Sequence, residues 1–216
     1  MRRAGRALFD ALLDAWPSRS NLTICCGRGN NAGDGYVVAE LALRHGLEVQ
    51  LVQIGDPGAL GGDAGIARDD ALAAGLSVTR TDDGDVELSG EVLVDALLGT
   101  GIQGAPRDAY ARLIGRMNAS GRPILAVDIP SGVAADTGSV AGKAIRAHTT
   151  VTFIGRKIGL YTGAGAALSG HVRFASLGVG SEVHDQVPGC DWLTFDALAS
   201  RSGLPERDAN AYKQAM

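Results

Sequence analysis

Residues 26–35 read CGRGNNAGDG and directly follow a short apolar segment at residues 22–26. An apolar helix pattern comes next, carried by Tyr36, Val37, Val38, Leu41 and Ala42. A strand, a glycine turn and a helix in this order hold a nucleotide in α/β sheets, because small residues let the backbone approach the ligand and the helix start offers free N–H groups. Two asparagines and an aspartate exceed what such a turn requires. We therefore expect the segment also to handle a cation or a polar reacting group.

The rest of the chain alternates between strand-like and helix-like segments. The patterns predict strands at 22–26, 48–54, 77–80, 91–98, 123–128, 149–154 and 171–177, and helices at 3–16, 33–45, 62–74 and 108–117. This alternation is typical of βαβ units, which build a mostly parallel sheet with helices on both faces. The sequence therefore predicts a fold of the α/β class.

Composition and charge disfavour some classes of partner and indicate the cellular compartment. The 216 residues carry 20 Lys and Arg against 24 Asp and Glu, a formal charge of −4, which disfavours nucleic acid and membrane surfaces. No apolar run reaches the roughly 18 residues of a membrane span. Cys25, Cys26 and Cys190 do not suit a disulfide framework, since adjacent cysteines in a strand point to opposite faces. We expect a single globular domain in a reducing cytoplasm.

Three strands are predicted to end in polar, glycine-rich turns. Besides residues 26–35, these are residues 94–104, which contain a full G-x-G-x-x-G pattern, and residues 126–133, where an acid precedes Pro-Ser-Gly. Ligands of parallel sheets bind beyond the carboxyl ends of the strands, so we expect the three turns to form one site.

The polar side chains of these turns present mainly oxygen atoms. They are the Asn31 amide, the Asp95 carboxylate and the Ser131 hydroxyl, and none of the four histidines lies in the turns. Hard cations prefer oxygen ligands, whereas zinc favours His or Cys. The pattern indicates a hard cation.

Each of these residues also has a purely structural interpretation. The glycines can serve tight turns alone, and Asn31 and Asp34 can be helix N-caps. Asp95 can form a buried salt bridge, and Asp128 can cap the turn at Ser131. We favour a site because all of them coincide at one edge of the predicted sheet.

Two common classes of nucleotide-binding protein are disfavoured. The sequence has no G-x-x-x-x-G-K-[ST], the motif of P-loop NTPases. It also has no convincing acid about 20 residues beyond the first glycine turn to hold an adenosine ribose, as an NAD dehydrogenase would. Cys25 and Cys26 lack a paired base and are interpreted as core residues.

Four strings occur in a fixed order, GRGNNAGDG at 27–35, VDALLGTGIQGAPR at 94–107, AVDIPSG at 126–132 and TVTFIGRKIGLYTGAG at 150–165. Together they closely resemble the YjeF N-terminal domain family, the NAD(P)H-hydrate epimerases, and the resemblance covers residues 4–179. It implies a Rossmann-like three-layer α/β/α sandwich that forms a homodimer. It also implies an isomerase that interconverts the R and S forms of NADHX and NADPHX, the hydrates of NADH and NADPH that carry a hydroxyl at nicotinamide C6. A dehydratase that uses ADP or ATP, often fused on the same chain, is the implied partner.

The resemblance also implies residue roles. The implied substrate-binding residues are Asn30, Asn31, Ala32, Gly33, Asp34, Gly99, Thr100, Gly101, Ile102, Gln103, Gly104, Ala105 and Asp128. The implied ligands of a potassium ion are Asn31, Asp95 and Ser131.

The reaction itself calls for an acid or base beside nicotinamide C6. The ring nitrogen can expel the protonated hydroxyl to leave a planar iminium, to which water returns on either face; opening and reclosing the C6–N bond is a competing route. We predict Asp128 as the catalytic acid or base, with Asp34 as the second candidate. Lys157 either approaches the ligand or is solvated.

The chain departs from the family pattern in three places. The family usually has a further stretch of helix before a segment like residues 1–5, Ala32 stands where the family commonly has glycine, and residues 204–213 resemble the lead-in to a fused dehydratase. We expect residues 1–180 to be the epimerase domain of a bifunctional protein and residues 181–216 to be a C-terminal arm or linker. The alternative function is a non-catalytic nucleotide-binding or scaffold domain that partners the dehydratase.

Overall fold

The computed structural model describes residues 1–180, which form seven strands, five α-helices and two 3-10 helices. The strands are β1 (Asn21–Cys26), β2 (Glu48–Ile54), β3 (Val78–Thr81), β4 (Val92–Ala96), β5 (Ile124–Val127), β6 (Thr149–Phe153) and β7 (His171–Ala175). The α-helices are α1 (Arg2–Ala15), α2 (Asn30–Arg44), α3 (Gly62–Ala73), α4 (Asp108–Ala119) and α5 (Gly165–Leu168), and the 3-10 helices are Pro57–Ala59 and Ile158–Leu160.

All seven strands pair in parallel, in the order β3-β2-β1-β4-β5-β6-β7. The chain runs outward from β1 to β3 and then returns to the other side of β1 to form β4. The strand order therefore reverses between β1 and β4, and the turns that leave these two strands diverge. Such a reversal opens a crevice at the carboxyl edge of the sheet.

Two apolar clusters cover the two faces of the sheet. On one face α1, α2 and α3 pack together on the strands, with Leu8 and Tyr36 fully buried among them. On the other face α4 buries Leu113, Ile114 and Met117 against the sheet. These layers confirm the predicted three-layer α/β/α sandwich. The sheet, predicted to be mostly parallel, is parallel in all seven described strands.

The start of α2 differs from the prediction. The helix begins at Asn30, three residues earlier than the apolar pattern indicates, and extended Gly29 occupies its N-cap without any capping side chain. The interpretation of Asn31 and Asp34 as N-caps is therefore wrong. Apolar periodicity missed this first turn because its residues are polar, and their side chains are left available for other partners.

Two glycines fix how closely the glycine turn and α2 approach β4. A Cβ at Gly27 would lie 1.8 Å from the Leu97 carbonyl oxygen, and the Gly27 backbone N–H donates to the Ala96 oxygen at 3.0 Å. A Cβ at Gly35 would lie 2.7 Å from the Ala96 Cβ. The first strand and the fourth are thus locked together at the point where the crevice opens.

The predicted arm or linker, residues 181–216, lies outside the described residues. None of the helices within residues 1–180 is both long enough and apolar enough to cross a membrane.

We expect Gly27→Ala to lower the free energy of unfolding by about 3 kcal/mol or more, since the new methyl group meets backbone atoms that cannot move aside. Gly101→Ala is the matched control, because a Cβ at Gly101 meets nothing within 4 Å; its effect should stay within about 0.5 kcal/mol. Urea denaturation of both variants measures the difference. Equal stabilities would contradict the close approach described here.

Candidate functional site

The crevice is a cleft of about 500 Å³ at the carboxyl edge of the sheet. Segments 28–31 and 97–102 line it, together with Asp34, Tyr110, Asp128 and Phe153. Its volume lies within the range of small-molecule sites, and it lies at the strand-order reversal where α/β sheets bind ligands.

Most of the predicted substrate-binding residues meet in this cleft. Those that line it are Asn30, Asn31, Asp34, Gly99, Thr100, Gly101, Ile102 and Asp128. Ala32 and Gly33 do not: both are buried in α2, and a Cβ at Gly33 would run into the Met1 side chain and Ala64. Residues 103–105 continue the β4 loop as exposed residues beyond the lining.

Asp95 is a fully buried carboxylate below the cleft. Ser131 satisfies it twice, through its hydroxyl at 2.6 Å from Oδ1 and its backbone N–H at 2.8 Å from Oδ2. Burial raises the pKa of Asp95 to about 6, although the Ser131 bonds act in the opposite direction. Within residues 1–180 no lysine, arginine or histidine forms an ion pair with it, so the salt-bridge interpretation is not observed there.

Asn31 brings two carbonyl groups together above this carboxylate. Its Nδ2 atom donates to the Leu98 and Val127 oxygens, both at 3.0 Å, and the Ser131 hydroxyl lies 3.2 Å from the same Leu98 oxygen. The amide therefore presents nitrogen here, where the sequence suggested oxygen. A half-turn of the amide group would add Oδ1 to the two carbonyls and the hydroxyl, and would form an oxygen-rich set suited to a hard cation.

Asp128 holds an unusual backbone conformation at the end of β5. Its φ is 65°, a region that L-residues rarely adopt, and its N–H donates to the Val151 oxygen on β6 at 2.8 Å. Strained residues of this kind cluster at functional sites. The conformation turns the side chain toward β6, where Oδ1 accepts from Thr152 Oγ1 at 3.1 Å and from the Phe153 N–H at 3.0 Å.

Lys157, which the sequence left open, forms an ion pair with Asp128. Its ammonium contacts Asp128 Oδ1 and donates to the Phe153 oxygen at 2.9 Å. Its side chain is only 19% exposed, so the interpretation as a solvated lysine is wrong. All the bonds that Asp128 accepts from described residues reach Oδ1, which leaves Oδ2 for a ligand. The sequence could have identified Lys157 as a site residue from its position soon after β6, because the carboxyl end of that strand lies at the same edge of the sheet as the cleft.

Asp34 is the second carboxyl group of the cleft. Its Oδ1 atom is buried without a hydrogen-bond partner among the described residues. Burial raises the pKa of Asp34 to about 7; the Met1 ammonium acts in the opposite direction, and the Asp128 charge raises the pKa further. A carboxyl group that titrates near neutral pH can both give and take a proton, as a general acid or base must.

Tyr36 and Gln53, which the sequence analysis missed, hold the glycine turn in place. The Gln53 amide donates to the Gly27 and Ile54 carbonyl oxygens, and the Tyr36 hydroxyl donates to Gln53 Oε1 at 3.1 Å. Tyr36 and Gln53 are fully buried. The bonds tie α2 and β2 to the turn, so the first loop of the cleft is held by two elements. The available signal was a glutamine among apolar residues in the second half of this strand, LVQI at residues 51–54.

A family model described as YjeF-related protein N-terminus matches residues 1–159. The chain is 43% identical to the bifunctional NAD(P)H-hydrate repair enzyme Nnr of Coxiella burnetii, over 99% of this chain and 43% of that protein. It is 35% identical to the NAD(P)H-hydrate epimerase of Legionella pneumophila (strain Paris), over 88% of this chain and 73% of that protein. This chain therefore spans less than half the length of the bifunctional relative.

The fold has a counterpart among solved structures. The crystal structure of yeast ynu0 matches with a TM-score of 0.64 and 20% sequence identity, over 73% of this chain and 70% of that one. At this identity the match supports the fold alone.

We expect the stability of Asp34→Asn relative to the wild type to rise with pH. Because the pKa of Asp34 is raised from 3.8 to about 7, the folded wild type keeps a proton there that the unfolded chain has lost. The stability that this proton contributes is present below about pH 4 and is lost as the pH rises through 7. The free energy of unfolding falls by about 2–4 kcal/mol over this range. Asparagine is neutral throughout and has no such loss.

Urea titrations at about pH 5 and about pH 8 measure this difference. Asp136→Asn, at an exposed position, is the matched control and should show a constant offset. Parallel pH curves for the wild type and Asp34→Asn would contradict the burial of this carboxyl group.

Proposed function

The chain belongs to the family of YjeF-related protein N-termini, and we propose from this membership and from the cleft that it epimerises NADHX and NADPHX at nicotinamide C6 for cofactor repair. The observation that carries the proposal is the pair of carboxyl groups in one cleft at the strand-order reversal. Asp34 titrates near neutral pH, and Asp128 is held in an ion pair by Lys157. Relatives named as NAD(P)H-hydrate epimerase and repair enzyme support the substrate.

The two ends of the cleft suit the two ends of a dinucleotide. The nicotinamide belongs beside Asp34 and Asp128, where proton transfer is available. The phosphates belong near residues 99–101 and the uncapped start of α2, whose free N–H groups favour an anion.

Asp34 and Asp128 divide the proton chemistry. Protonated Asp34 gives its proton to the C6 hydroxyl, the C6–O bond breaks, and water leaves while the nitrogen lone pair forms the C6–N double bond. Asp128 faces the resulting cation as a carboxylate and stabilises it. Water then adds to the opposite face of C6, the π electrons return to nitrogen, and the released proton goes back to a carboxylate. Carboxyl groups in unlike environments commonly divide roles in this way.

Lys157 keeps Asp128 ready for this role. It binds Oδ1 together with Thr152 and Phe153, so that the free Oδ2 points to the substrate from a fixed position. Positioning of this kind lowers the reorganisation that the transition state requires.

A potassium ion fits the oxygen-rich set beneath the cleft. Asn31, Asp95 and Ser131 would hold it, with the Leu98 and Val127 carbonyl groups beside them. Its charge would offset the buried Asp95 carboxylate and so fix the loops after β1, β4 and β5. A buried carboxylate that forms no ion pair within residues 1–180 supports this assignment.

The proposal extends to the assembly, the compartment and the partner of the domain. We propose that the domain forms a homodimer and works in the cytoplasm beside a dehydratase that uses ADP or ATP, fused or separate. The naming of the Coxiella burnetii relative as bifunctional supports the fused arrangement. The buried free thiols of Cys25 and Cys26 suit a reducing compartment.

Coupled turnover tests the proposed reaction. R-NADHX is mixed with the purified chain, an S-specific dehydratase and its nucleotide, and the return of NADH is followed by absorbance. We expect complete consumption with the wild type, and a loss of about 100-fold or more in rate for Asp128→Asn with dinucleotide affinity kept, since the carboxylate that stabilises the cation is lost.

Asp136→Asn is the matched control and should keep the wild-type rate. If the wild type binds NADHX but leaves the R form untouched, the domain is a nucleotide-binding partner of the dehydratase and the epimerase proposal fails. If Asp128→Asn keeps the full rate, the catalytic role of Asp128 is wrong.

Potassium binding should raise the melting temperature. We expect KCl to stabilise the wild type by about 3 °C or more over choline chloride at equal ionic strength, because an ion that binds only the folded state stabilises it. Asp95→Asn and Ser131→Ala should lose this gain, while Asp136→Asn should keep it. Equal melting temperatures of the wild type in the two salts would contradict the potassium site.

A further inference from the structure

Arg28 lines the cleft on the side of β2, whereas Asp128 follows β5 on the other side of the strand-order reversal. Arg28 is exposed, and its guanidinium lies over Gly55, the residue that follows β2. A Cβ at Gly55 would lie 2.4 Å from Arg28 Nε and 2.5 Å from Nη2, so the missing side chain gives the guanidinium its place. The φ of Gly55 is 81°, which also favours glycine there.

The charge of Arg28 is not neutralised by a carboxylate of the described chain. Arginines elsewhere in residues 1–180 form ion pairs, such as Arg44 with Glu40 and Arg116 with Asp85, but Arg28 forms none with any described residue. A positive charge that lines a cleft in this state attracts an anionic group of the ligand.

Tyr110, on α4, lines the cleft close to Arg28. The pKa of its phenol is raised, chiefly because burial withdraws it from water, while the Arg28 charge and backbone N–H act in the opposite direction. Arg107 adds a further positive charge near the same phenol. Arg28 and Arg107 therefore place positive charge near Tyr110, a residue that lines the cleft.

We propose that Arg28 binds a phosphoryl group of the dinucleotide substrate. The inference rests on the proposed function. A guanidinium offers a planar fork of donors that matches a phosphate, and it remains charged at all working pH values. The phosphoryl group is either the pyrophosphate or the 2′-phosphate of the adenosine ribose; the end of the second strand is where α/β dinucleotide folds read that ribose.

Binding of two fragments that lack nicotinamide tests the proposal without turnover. The ligands are ADP-ribose and 2′-phospho-ADP-ribose, titrated by calorimetry into the wild type, Arg28→Ala, Arg28→Lys and the control Arg146→Ala, an exposed arginine away from the cleft. Loss of a charge-assisted contact predicts about 10- to 100-fold weaker binding for Arg28→Ala and a partial recovery for Arg28→Lys.

The two ligands separate the sources of the phosphoryl group. Weakening confined to 2′-phospho-ADP-ribose assigns Arg28 to the 2′-phosphate, and equal weakening of both assigns it to the pyrophosphate. Affinities of Arg28→Ala that match those of Arg146→Ala overturn the proposal, as does a wild type that binds neither fragment. Equal melting temperatures of the two variants rule out a folding defect as the cause of weaker binding.

Steady-state kinetics keep this inference separate from the proposed function. An active wild type whose KM does not change in Arg28→Ala overturns the role of Arg28 alone. A wild type that binds the fragments through Arg28 but does not epimerise NADHX overturns the reaction and leaves the phosphate contact standing.

Discussion

The close contact between the turn after β1 and the end of β4 is the constraint on which the rest of the site depends. Gly27 leaves no room for a side chain against the Leu97 carbonyl group, and its own N–H and carbonyl groups are both bonded. The contact sets the width of the crevice at the strand-order reversal. It also sets where α2 begins, and therefore where Asn31 and Asp34 lie relative to Asp95 and Asp128.

Buried polar groups then give the cleft its chemistry. Ser131 satisfies Asp95, Asn31 joins two backbone carbonyl groups, and Lys157 pairs with Asp128, so each loop is tied to another by a polar contact. Buried polar groups that are fully satisfied rigidify a structure, and one left unsatisfied is costly. Among the described side chains, Asp34 alone has a buried polar atom, Oδ1, without a hydrogen-bond partner. This unsatisfied atom lowers the stability of the fold, which is consistent with a group that serves proton transfer.

The sequence predicted the strands and most of the helix bounds because apolar periodicity follows burial directly. It also predicted that Asn31, Asp95, Asp128 and Ser131 meet, since the carboxyl ends of parallel strands share an edge. It failed where a side chain's direction depends on contacts between distant elements. Ala32 and Gly33 are buried because α2 begins early, and Lys157, four residues beyond β6, bonds both Asp128 and the Phe153 oxygen. Roles that depend on a bound ion or substrate stay predictions.

The parallel pairing of β1 with β4 has a consequence for how the chain folds. Between these neighbours lie α2, β2, α3 and β3, so the pairing closes a long stretch of chain and is a non-local contact, which slows folding. The β2 and β3 side of the sheet can assemble from closer segments. Any intermediate that lacks the β1–β4 contact also lacks the cleft. A nascent chain should therefore become competent to bind only after β4, β5 and β6 have emerged from the ribosome, since all three contribute to the cleft.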